Sequence, residues 1–591
     1  MKWLGEGCVA ESQKQLFQQK GVLMTFGRSR FSRINSTFLS RFSAAVEPKT
    51  ESAKSFRQAG VRAVWMVSLV LACCAIATTV VAAKDKPTGD WKPRIHFYAG
   101  PSWNNDPNGP ILLNGQYHLF FQNNPYGDTW GHMSWGHTVS GDLVHWSRLP
   151  VALLEADGIM NFNGTVVEDR GNTSGFCGNL SQSSAPCLVA VYTGNSTMSS
   201  GVGHQNQNLA YSRDGGTTWT KYNKNPVLDL MVENFRDPKV FWHEPSKSWV
   251  MLVMLALQHN MQIYRSPDLK HWKLAGSFGP KGATGGAWEC PDLMNLDIRD
   301  DKGNRTGSRW VLSVNLNPGG VAGGSGNQYF IGQFDGFHSV EDHPSSGTHW
   351  VDFGKDFYAS TSFANIPDNE NRLWIAWMDD WAYADKTPPL PGRGEMTIAR
   401  RLYLRQEEAT GQAEPLVVVQ EPDLPIPAHK RNRAPLTVEE ANAAIAGSGY
   451  ESGVFLLKAT LDPGTAGEVG IRLRRSALKA EEAANEETVV GIDRTKGQIF
   501  VDRNRSGYVT FSPDFPARTV APLKHPDAKS IPIEIIVDRN SVEVFAENGE
   551  TVLTNLIFPS DASQGLAFYA TGAPAGGDSA HVRDLEVVPL K

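Results

Sequence analysis

The sequence predicts an all-β fold in which a β-propeller is followed by a β-sandwich. Three observations lead to this prediction. A Ser-x-Asp turn that ends in Trp recurs after apolar or alternating runs, helical periodicity is almost absent, and a proline-rich break precedes a second set of strand-like segments. Radially repeated sheets explain the recurrence, and a chain of 591 residues is long enough for two folded domains.

The recurring turn occurs three times, at 140–146, 212–219 and 266–272. Each copy follows a strand-like run, turns at an Asp and reaches a Trp where the next strand resumes. The shared turn and the shared Trp favour blades of a propeller over unrelated hairpins. These repeats alone do not set the number of blades.

The N-terminal region combines an unpatterned extension, residues 1–62, with an apolar segment, residues 63–83. This segment follows Arg57 and Arg62 and ends in small residues that a signal peptidase accepts. We therefore expect export to the periplasm or the extracellular space. The alternatives are an uncleaved membrane anchor at 63–83 and a signal peptide that starts after Met1.

The remaining chain divides at a change in composition near residue 415. We expect the β-propeller at 92–415, a linker at 416–439 and the β-sandwich at 440–591. Strands are predicted at 470–474, 497–502 and 531–538, a hairpin turn at 547–550, and helix-capable stretches at 437–446 and 477–486, the latter alternatively a charged loop.

The composition favours a neutral, polar substrate over a nucleic acid. The net charge is −6, and the Lys and Arg residues are scattered without forming a basic stripe. The 17 Trp residues suit stacking on sugar rings, although most of them are expected in the core. The composition leaves the oligomeric state open.

The cysteines and histidines predict no metal site. Cys177 and Cys187 bracket a polar loop and can close a small disulfide in an oxidising compartment, while Cys290 is expected as a buried packing residue. His132 and His137 lack a third ligand at suitable spacing. The Gly-rich stretch 319–326 lacks the Lys-Ser/Thr of a nucleotide loop, so no cofactor is expected.

Three short stretches each place one carboxylate among aromatic, Pro or Gly residues. They contain Asp106 at 103–109, Asp237 at 235–238 and Glu289 at 288–292. Taken singly, each acid favours a structural role, such as a turn or a strand end. Taken together, they indicate one pocket, because two facing carboxylates can hydrolyse a glycosidic bond and a third can hold sugar hydroxyls.

The order Asn-Asp-Pro-Asn-Gly, Arg-Asp-Pro and Glu-Cys-Pro resembles glycoside hydrolase family 32, which contains invertases, inulinases, levanases and fructan exohydrolases. Stretches 120–125, 130–137 and 374–381 fit the same pattern, and the last resembles microbial exo-acting fructanases. The resemblance covers roughly 92–591. It implies an all-β fold, a five-bladed β-propeller followed by a C-terminal β-sandwich, and a retaining enzyme that releases terminal β-linked fructose from fructans (levan, inulin) and/or sucrose.

The resemblance also implies a role for each acid. Asp106 is expected to be the nucleophile, Glu289 the acid/base and Asp237 the transition-state stabiliser, with the carboxyls of the first two about 5–5.5 Å apart. We expect apolar neighbours of Glu289, namely Trp288 and Pro291, to favour its protonated form. Donors near Asp106 are expected to keep it ionised.

Substrate contacts are also implied by the resemblance. Asn163 departs from the family pattern, which commonly has Ser there, so a hydroxyl contact to the sugar becomes an amide contact. Trp377 and Trp381 are expected either in the far wall of the pocket or in the core. The expected contact residues are Asn105, Gln122, Trp130, Phe162, Asn163, Arg236 and Trp377.

Two alternative functions fit the same residues. A fructosyltransferase would use the same covalent intermediate with a sugar acceptor in place of water. A noncatalytic carbohydrate-binding propeller belongs to a different class, and the presence of all three acids disfavours it, because a pure binder has no need of Glu289.

Overall fold

The protein is described by a computed structural model at residues 89–178, 185–342, 347–368, 370–406, 416–426, 434–447, 453–476 and 486–590. In these ranges the fold is all-β, with 32 strands and one α-helix, α1 (Val438–Gly447). The same ranges contain no helix with the length and apolar character needed to span a bilayer. The N-terminal extension and the apolar segment 63–83 lie outside the described residues.

Three sheets of four antiparallel strands come first, and in each sheet the spatial order is the chain order. The first contains β1 (Trp103–Leu113), β2 (Gln116–Asn124), β3 (Ser134–Ser140) and β4 (Trp146–Leu153). The second contains β5 (Met160–Glu168), β6 (Leu188–Thr197), β7 (Gly203–Ser212) and β8 (Thr220–Lys221). The third contains β9 (Phe235–His243), β10 (Ser248–Leu255), β11 (Asn260–Ser266) and β12 (Lys273–Phe278).

A nine-stranded sheet follows, made of two antiparallel groups. The first group is β13 (Ala287–Arg299), β14 (Arg305–Asn317), β15 (Gly326–Phe334), β16 (Ser339–Glu341) and β17 (His349–Trp350). The second is β18 (Tyr358–Ser362), β19 (Arg372–Trp377), β20 (Arg400–Gln406) and β21 (Leu416–Pro422). A short parallel pairing of β13 with β20 joins the two groups.

Five strands form a closed circuit of contacts, in the order β1, β5, β9, β13, β18 and back to β1. Each of them is the first strand of its antiparallel group. Apolar side chains fill the space between neighbouring groups; Ile111 packs with Val166, for example, and Leu252 with Val314. The circuit brings the beginnings of five strands to one place.

The predicted Asp turn is confirmed in all three copies. The Asp side chain accepts main-chain N–H groups of the following residues, and the Trp indole donates to the carbonyl three residues earlier, which fixes both ends of the turn. These pairs are Asp142 with Trp146, Asp214 with Trp219, and Asp268 with Trp272. The disulfide between Cys177 and Cys187 is also confirmed.

The C-terminal region consists of two sheets that share one apolar core, in which Leu457 and Ile535 meet Ile471 and Val490. The first sheet has the order β22 (Leu436–Thr437), β32 (His581–Pro589), β23 (Phe455–Asp462), β28 (Ile531–Val537), β29 (Ser541–Ala546) and β30 (Thr551–Leu556). The second has β27 (Arg518–Pro522), β26 (Gln498–Arg505), β25 (Glu487–Asp493), β24 (Glu468–Arg475) and β31 (Gly565–Thr571).

The secondary structure predicted for this region is largely confirmed. The three predicted strands are β24, β26 and β28, and residues 547–550 connect β29 to β30. Helix α1 begins with a capping box, since Thr437 Oγ1 accepts from Glu440 N and Glu440 Oε2 accepts from Thr437 N. Most of the other helix-capable stretch, 477–485, lies outside the described residues.

The linker predicted at 416–439 is wrong at both ends. Residues 416–422 form β21, which pairs with β20 along its whole length. The run of three valines at 417–419 makes a buried strand, and the proline-rich composition that suggested a linker applies only to the residues after it. At the other end, β22 and the start of α1 fall inside the predicted linker.

Candidate active site

A β-bulge interrupts the first strand of each of the five groups at the same level. In every case two residues of the first strand oppose one residue of its neighbour. Bulges bend a strand and redirect its side chains, and they are common beside active sites. The bulged pairs are Asn105–Asp106 in β1, Phe162–Asn163 in β5, Asp237–Pro238 in β9, Cys290–Pro291 in β13 and Ala359–Ser360 in β18.

Three of these bulges lie at or beside a proline, which explains the Asp-Pro and Cys-Pro motifs. Proline has no N–H to donate to a sheet, so inside strands it is found at edges and bulges. Pro107, Pro238 and Pro291 each follow the acid or the cysteine that the bulge redirects. The turn predicted for Asp106 as a structural alternative is therefore not formed, because Asp106 lies inside β1.

Asp106 is buried and has one occupied and one free carboxylate oxygen. Asn163 Nδ2 donates to its Oδ2 at 2.6 Å, and no described residue donates to its Oδ1. Burial raises the pKa of Asp106 to about 6, against the opposing hydrogen bond of Asn163. The donors that were expected to keep Asp106 ionised do not outweigh burial, but a pKa of about 6 still leaves the carboxyl group mostly ionised at pH 7.

Asp237 and Asp106 are joined through Cys290. The main-chain N–H of Cys290 donates to Asp237 Oδ2 at 3.0 Å, and its Sγ lies 3.7 Å from that oxygen and 3.8 Å from Asp106 Oδ2. Burial raises the pKa of Asp237 to about 7 and that of the Cys290 thiol well above its usual range. Cys290 is therefore a neutral thiol between two acids, buried as the sequence predicts but inside the site.

Glu289 is held by polar partners on both carboxylate oxygens. Arg236 donates to its Oε1 from Nε at 2.9 Å and from Nη2 at 2.8 Å, and the Tyr358 hydroxyl donates to its Oε2. Trp288 points to the opposite face of β13, where its indole donates to Ala283 O in an apolar cluster. The expected apolar setting from Trp288 is thus absent, because neighbours in a strand face opposite sides.

Arg236 is placed by four hydrogen bonds. Besides the two to Glu289, its Nη1 donates to Asn234 Oδ1 at 2.8 Å and to Gln205 Oε1 at 3.2 Å. Its Nε lies 3.9 Å from Asp237 Oδ2. Glu289 and Asp237 raise the pKa of this guanidinium even though burial works in the other direction. Arg236 therefore carries a fixed positive charge between two of the three acids.

Two expected contact residues lie on the open side of the site and two lie inside it. Trp130 is 46% exposed and packs edge-on against the half-buried Phe162. Gln122 is buried with no partner for its Nε2 among the described residues, and Asn105 accepts the Trp103 indole N–H at 2.8 Å. An aromatic rim above unpaired polar atoms suits a sugar ring.

Trp377 needs correction as a substrate contact. Its side chain has no exposed surface and packs against Trp103, Trp381 and Tyr358. Of the two alternatives, core packing is the one that this geometry supports. Trp381, which is partly exposed, presents the aromatic surface of this segment.

Sequence reasoning missed two partners of the acids. Tyr358 begins β18 and belongs to no recognisable motif, and the only local signal is an aromatic residue before a bulge. Gln205 lies on β7, far in the chain from the Arg236 that it contacts. Both residues reach the site through the circuit of strands, which local sequence does not encode.

Comparison with known proteins agrees with this geometry. Residues 96–415 match the model described as "Glycosyl hydrolases family 32 N-terminal domain", and residues 428–589 match "Glycosyl hydrolases family 32 C terminal". A levanase of Bacillus subtilis is 41% identical over 85% of this chain and 71% of its own. An extracellular exo-inulinase of Aspergillus awamori is 39% identical over 83% of this chain and 93% of its own.

Solved structures give the same result. The crystal structure of exo-inulinase from Aspergillus awamori superposes with a TM-score of 0.72 at 35% identity, over 85% of this chain and 99% of that one. A β-fructofuranosidase of Schwanniomyces occidentalis, solved with fructosyl-erythritol, has a TM-score of 0.72 at 32% identity. The superposition covers 83% of this chain and 97% of that one. The chain therefore belongs to glycoside hydrolase family 32.

Proposed function

We propose that this protein releases terminal β-linked fructose from levan, inulin and/or sucrose with retention of configuration. The observation that carries the proposal is the convergence of Asp106, Asp237 and Glu289 around Cys290 and Arg236. Relatives named levanase, exo-inulinase and invertase support the substrate class.

Asp106 is the nucleophile in this proposal. Its Oδ1 has no hydrogen-bond partner among the described residues and is free to attack the anomeric carbon, while Asn163 holds Oδ2. Attack forms a covalent fructosyl ester and breaks the bond to the leaving oxygen. Ionised Asp106 is required, and at neutral pH a pKa of about 6 provides it.

Glu289 is the acid and then the base. In the first half of the reaction it gives a proton to the leaving oxygen. In the second half of the reaction it takes a proton from the water that hydrolyses the ester. The hydrogen bonds from Arg236 and Tyr358 orient its carboxyl group for both steps. A separation of about 5–5.5 Å between the carboxyls of Glu289 and Asp106 is expected for a retaining enzyme.

Asp237 is the transition-state stabiliser. Its Oδ2 accepts the Cys290 N–H, and the carboxylate shares Cys290 with Asp106 and Arg236 with Glu289 as neighbours. Hydrogen bonds from two sugar hydroxyls to Asp237 would strengthen as positive charge develops on the ring. Gln122, Trp130 and Phe162 are proposed to complete the fructose pocket.

The proposal extends to the architecture and the place of action. The closed circuit of five strands supports a five-bladed β-propeller, and the two sheets with a common core support a C-terminal β-sandwich. The disulfide and the relatives named extracellular exo-inulinases support export, with 63–83 as the targeting segment.

The test is product analysis of the parent protein and of Glu289→Gln on levan, inulin and sucrose. We expect free fructose from the parent, and a kcat lower by about 10²–10⁴-fold in the variant. Equal hydrolysis by the variant would contradict the assignment of Glu289. If oligofructosides dominate over fructose at high sucrose concentration, the enzyme is a transferase instead of a hydrolase.

A further inference from the structure

A second cavity lies at the other end of the strands that carry the acids. It has a volume of about 900 Å³ and includes Glu168, Trp242 and Asn295 in its walls. On β9, Trp242 is five residues beyond Asp237, and at about 3.3 Å per residue the two are about 16 Å apart. Glu168 on β5 stands five residues beyond Asn163 in the same way.

The second cavity is separated from the acids by a buried ion pair. Lys239 Nζ lies 3.2 Å from Asp292 and donates to the main-chain carbonyl and the hydroxyl of Ser362, both at 3.0 Å. These residues belong to β9, β13 and β18, so the contacts cross the space between the strands. A ligand in the second cavity is therefore distinct from one at Asp106.

Trp242 provides a fixed aromatic face in this cavity. Its side chain is 38% exposed, its indole N–H donates to Glu244 Oε2 at 2.6 Å, and Trp249 packs edge-on against it with 5.3 Å between ring centroids. Such a ring loses little conformational freedom when a ligand stacks on it. Aromatic faces of this kind are suited to the C–H faces of sugars.

The polar groups of the walls favour a neutral ligand. Each cationic side chain in the lining already has an acidic partner: Arg170 with Glu168, Lys239 with Asp292 and Arg372 with Asp368. No cation in the lining is left unpaired for a phosphate, and the described residues contain no group of three or more His, Cys, Asp or Glu side chains that could hold a metal ion. Paired carboxylates and amides, such as Glu168 with Asn365, still have lone pairs and N–H groups that hydroxyls can use.

We propose that this cavity is a noncatalytic binding site for a fructan chain. The inference rests on the proposed function for its choice of polymer. A polymer held at the second cavity stays near the enzyme while its free ends reach Asp106, which raises the effective concentration of those ends. Sucrose is too short to gain from this, so the site acts only on polymeric substrates.

The experiment compares Trp242→Ala and Glu168→Gln with the parent protein. In a Glu289→Gln background, binding to inulin and to levan is measured by retardation in native gels that contain the polymer. With Glu289 restored, we expect each substitution to raise KM for the polymers by about 5- to 10-fold and to leave kcat and KM for sucrose unchanged. Phe337→Ala is the matched control, since Phe337 is also 38% exposed and lies outside the cavity.

The outcomes separate this inference from the proposed function. Unchanged gel retardation in both variants overturns the second site, as does an equal loss on sucrose, which would point to damage at the acids. If dextran or starch in the gel retards the parent as strongly as inulin and levan do, the choice of fructan is overturned. If the parent releases no fructose from any substrate, the proposed function fails, while loss of retardation on substitution still supports the second site.

Discussion

Arg236 donates two hydrogen bonds to one oxygen of Glu289, from Nε at 2.9 Å and from Nη2 at 2.8 Å. The remaining Nη1 is held by Asn234 and Gln205. The guanidinium thus sets the position of Glu289 relative to Asp237, which lies 3.9 Å from Nε. A planar fork of donors can do this because its N–H directions are fixed.

The first prediction concerns this fork. Arg236→Lys keeps the positive charge but offers a single ammonium, which cannot serve Glu289, Asn234 and Gln205 together. We expect kcat for fructose release to fall by about 10²–10³-fold, the size found when one preorganised donor is lost. Steady-state kinetics on sucrose measures this. Arg309→Lys, whose ion pair with Asp342 is partly exposed, is the control and should keep full activity. Unchanged kcat in Arg236→Lys would show that charge alone suffices.

The second prediction concerns the other oxygen of Glu289. Tyr358→Phe removes only the hydroxyl that donates to Oε2 and keeps the ring packed against Trp377. We expect kcat to fall by about 10- to 100-fold, because Glu289 gains rotational freedom when one of its two anchors is lost. Kinetics and a thermal scan are compared, and Tyr403→Phe, whose hydroxyl bonds Glu421, is the control. A kcat of Tyr358→Phe equal to that of the parent would contradict an anchoring role of the Tyr358 hydroxyl.

The third prediction follows from the raised pKa of Asp106. Its folded-state pKa of about 6 exceeds its ordinary value of 3.8, so the folded state holds the proton more tightly. As pH rises between these two values, Asp106 loses its proton first in the unfolded state, so the free energy of unfolding falls. Above pH 6 this decrease is complete and amounts to about 3 kcal/mol. Asp106→Asn removes this penalty. We expect an inactive variant that resists urea better than the parent at pH 7, with no difference near pH 4.

A control with the opposite sign is available at Asp142. Although slight burial works against it, hydrogen bonds from His145 and Val144 lower the pKa of Asp142 to about 2. Its ionised form therefore stabilises the fold at neutral pH, and Asp142→Asn should unfold at lower urea concentration than the parent. If Asp106→Asn shifts the urea midpoint in the same direction as Asp142→Asn, burial of the Asp106 charge is not costly.

The acids were predictable from the sequence because their signals are local. Each acid lies in a short stretch of aromatic, Pro or Gly residues, and such a stretch is recognised without knowledge of distant strands. Asp106, Asp237 and Glu289 are recognised in this way, whereas the bulges beside Pro107, Pro238 and Pro291 were not predicted. The Asp turns at 142 and 268 are local too, since each Asp bonds main-chain N–H groups within three residues.

The partners of the acids were not predictable, because they come from other strands. Tyr358 and Glu289 meet only after β13 and β18 join the circuit, and no spacing in the chain encodes that contact. The same reason applies to Trp377, whose burial depends on how Trp103 and Trp381 pack against it. The face of a strand on which a side chain lies is set by the local sequence, but the residue that it contacts depends on the other strands.

The last prediction concerns Arg503 of β26, a buried cation between the two parts of the fold. It donates to Asp356 Oδ2 at 2.5 Å and to the Tyr383 hydroxyl at 2.8 Å, and both partners lie in the loops beside β18 and β19. Within its own domain it donates to Phe515 O and Leu556 O. Arg503 thereby pairs the negative charge of Asp356, which lies two residues before Tyr358 in the chain.

Arg503→Met removes the cation and leaves the Asp356 charge buried without its partner. Loss of one member of a buried ion pair costs about 3–5 kcal/mol. We therefore expect an earlier urea midpoint and lower activity per molecule, because the uncompensated charge lies next to the strand that carries Tyr358. Arg505→Met is the matched control on the same strand, since its side chain is 53% exposed and Glu487 keeps its two hydrogen bonds from Arg472 when Arg505 is replaced. If both variants unfold at the parent's urea midpoint, Arg503 does not hold the two parts of the fold together.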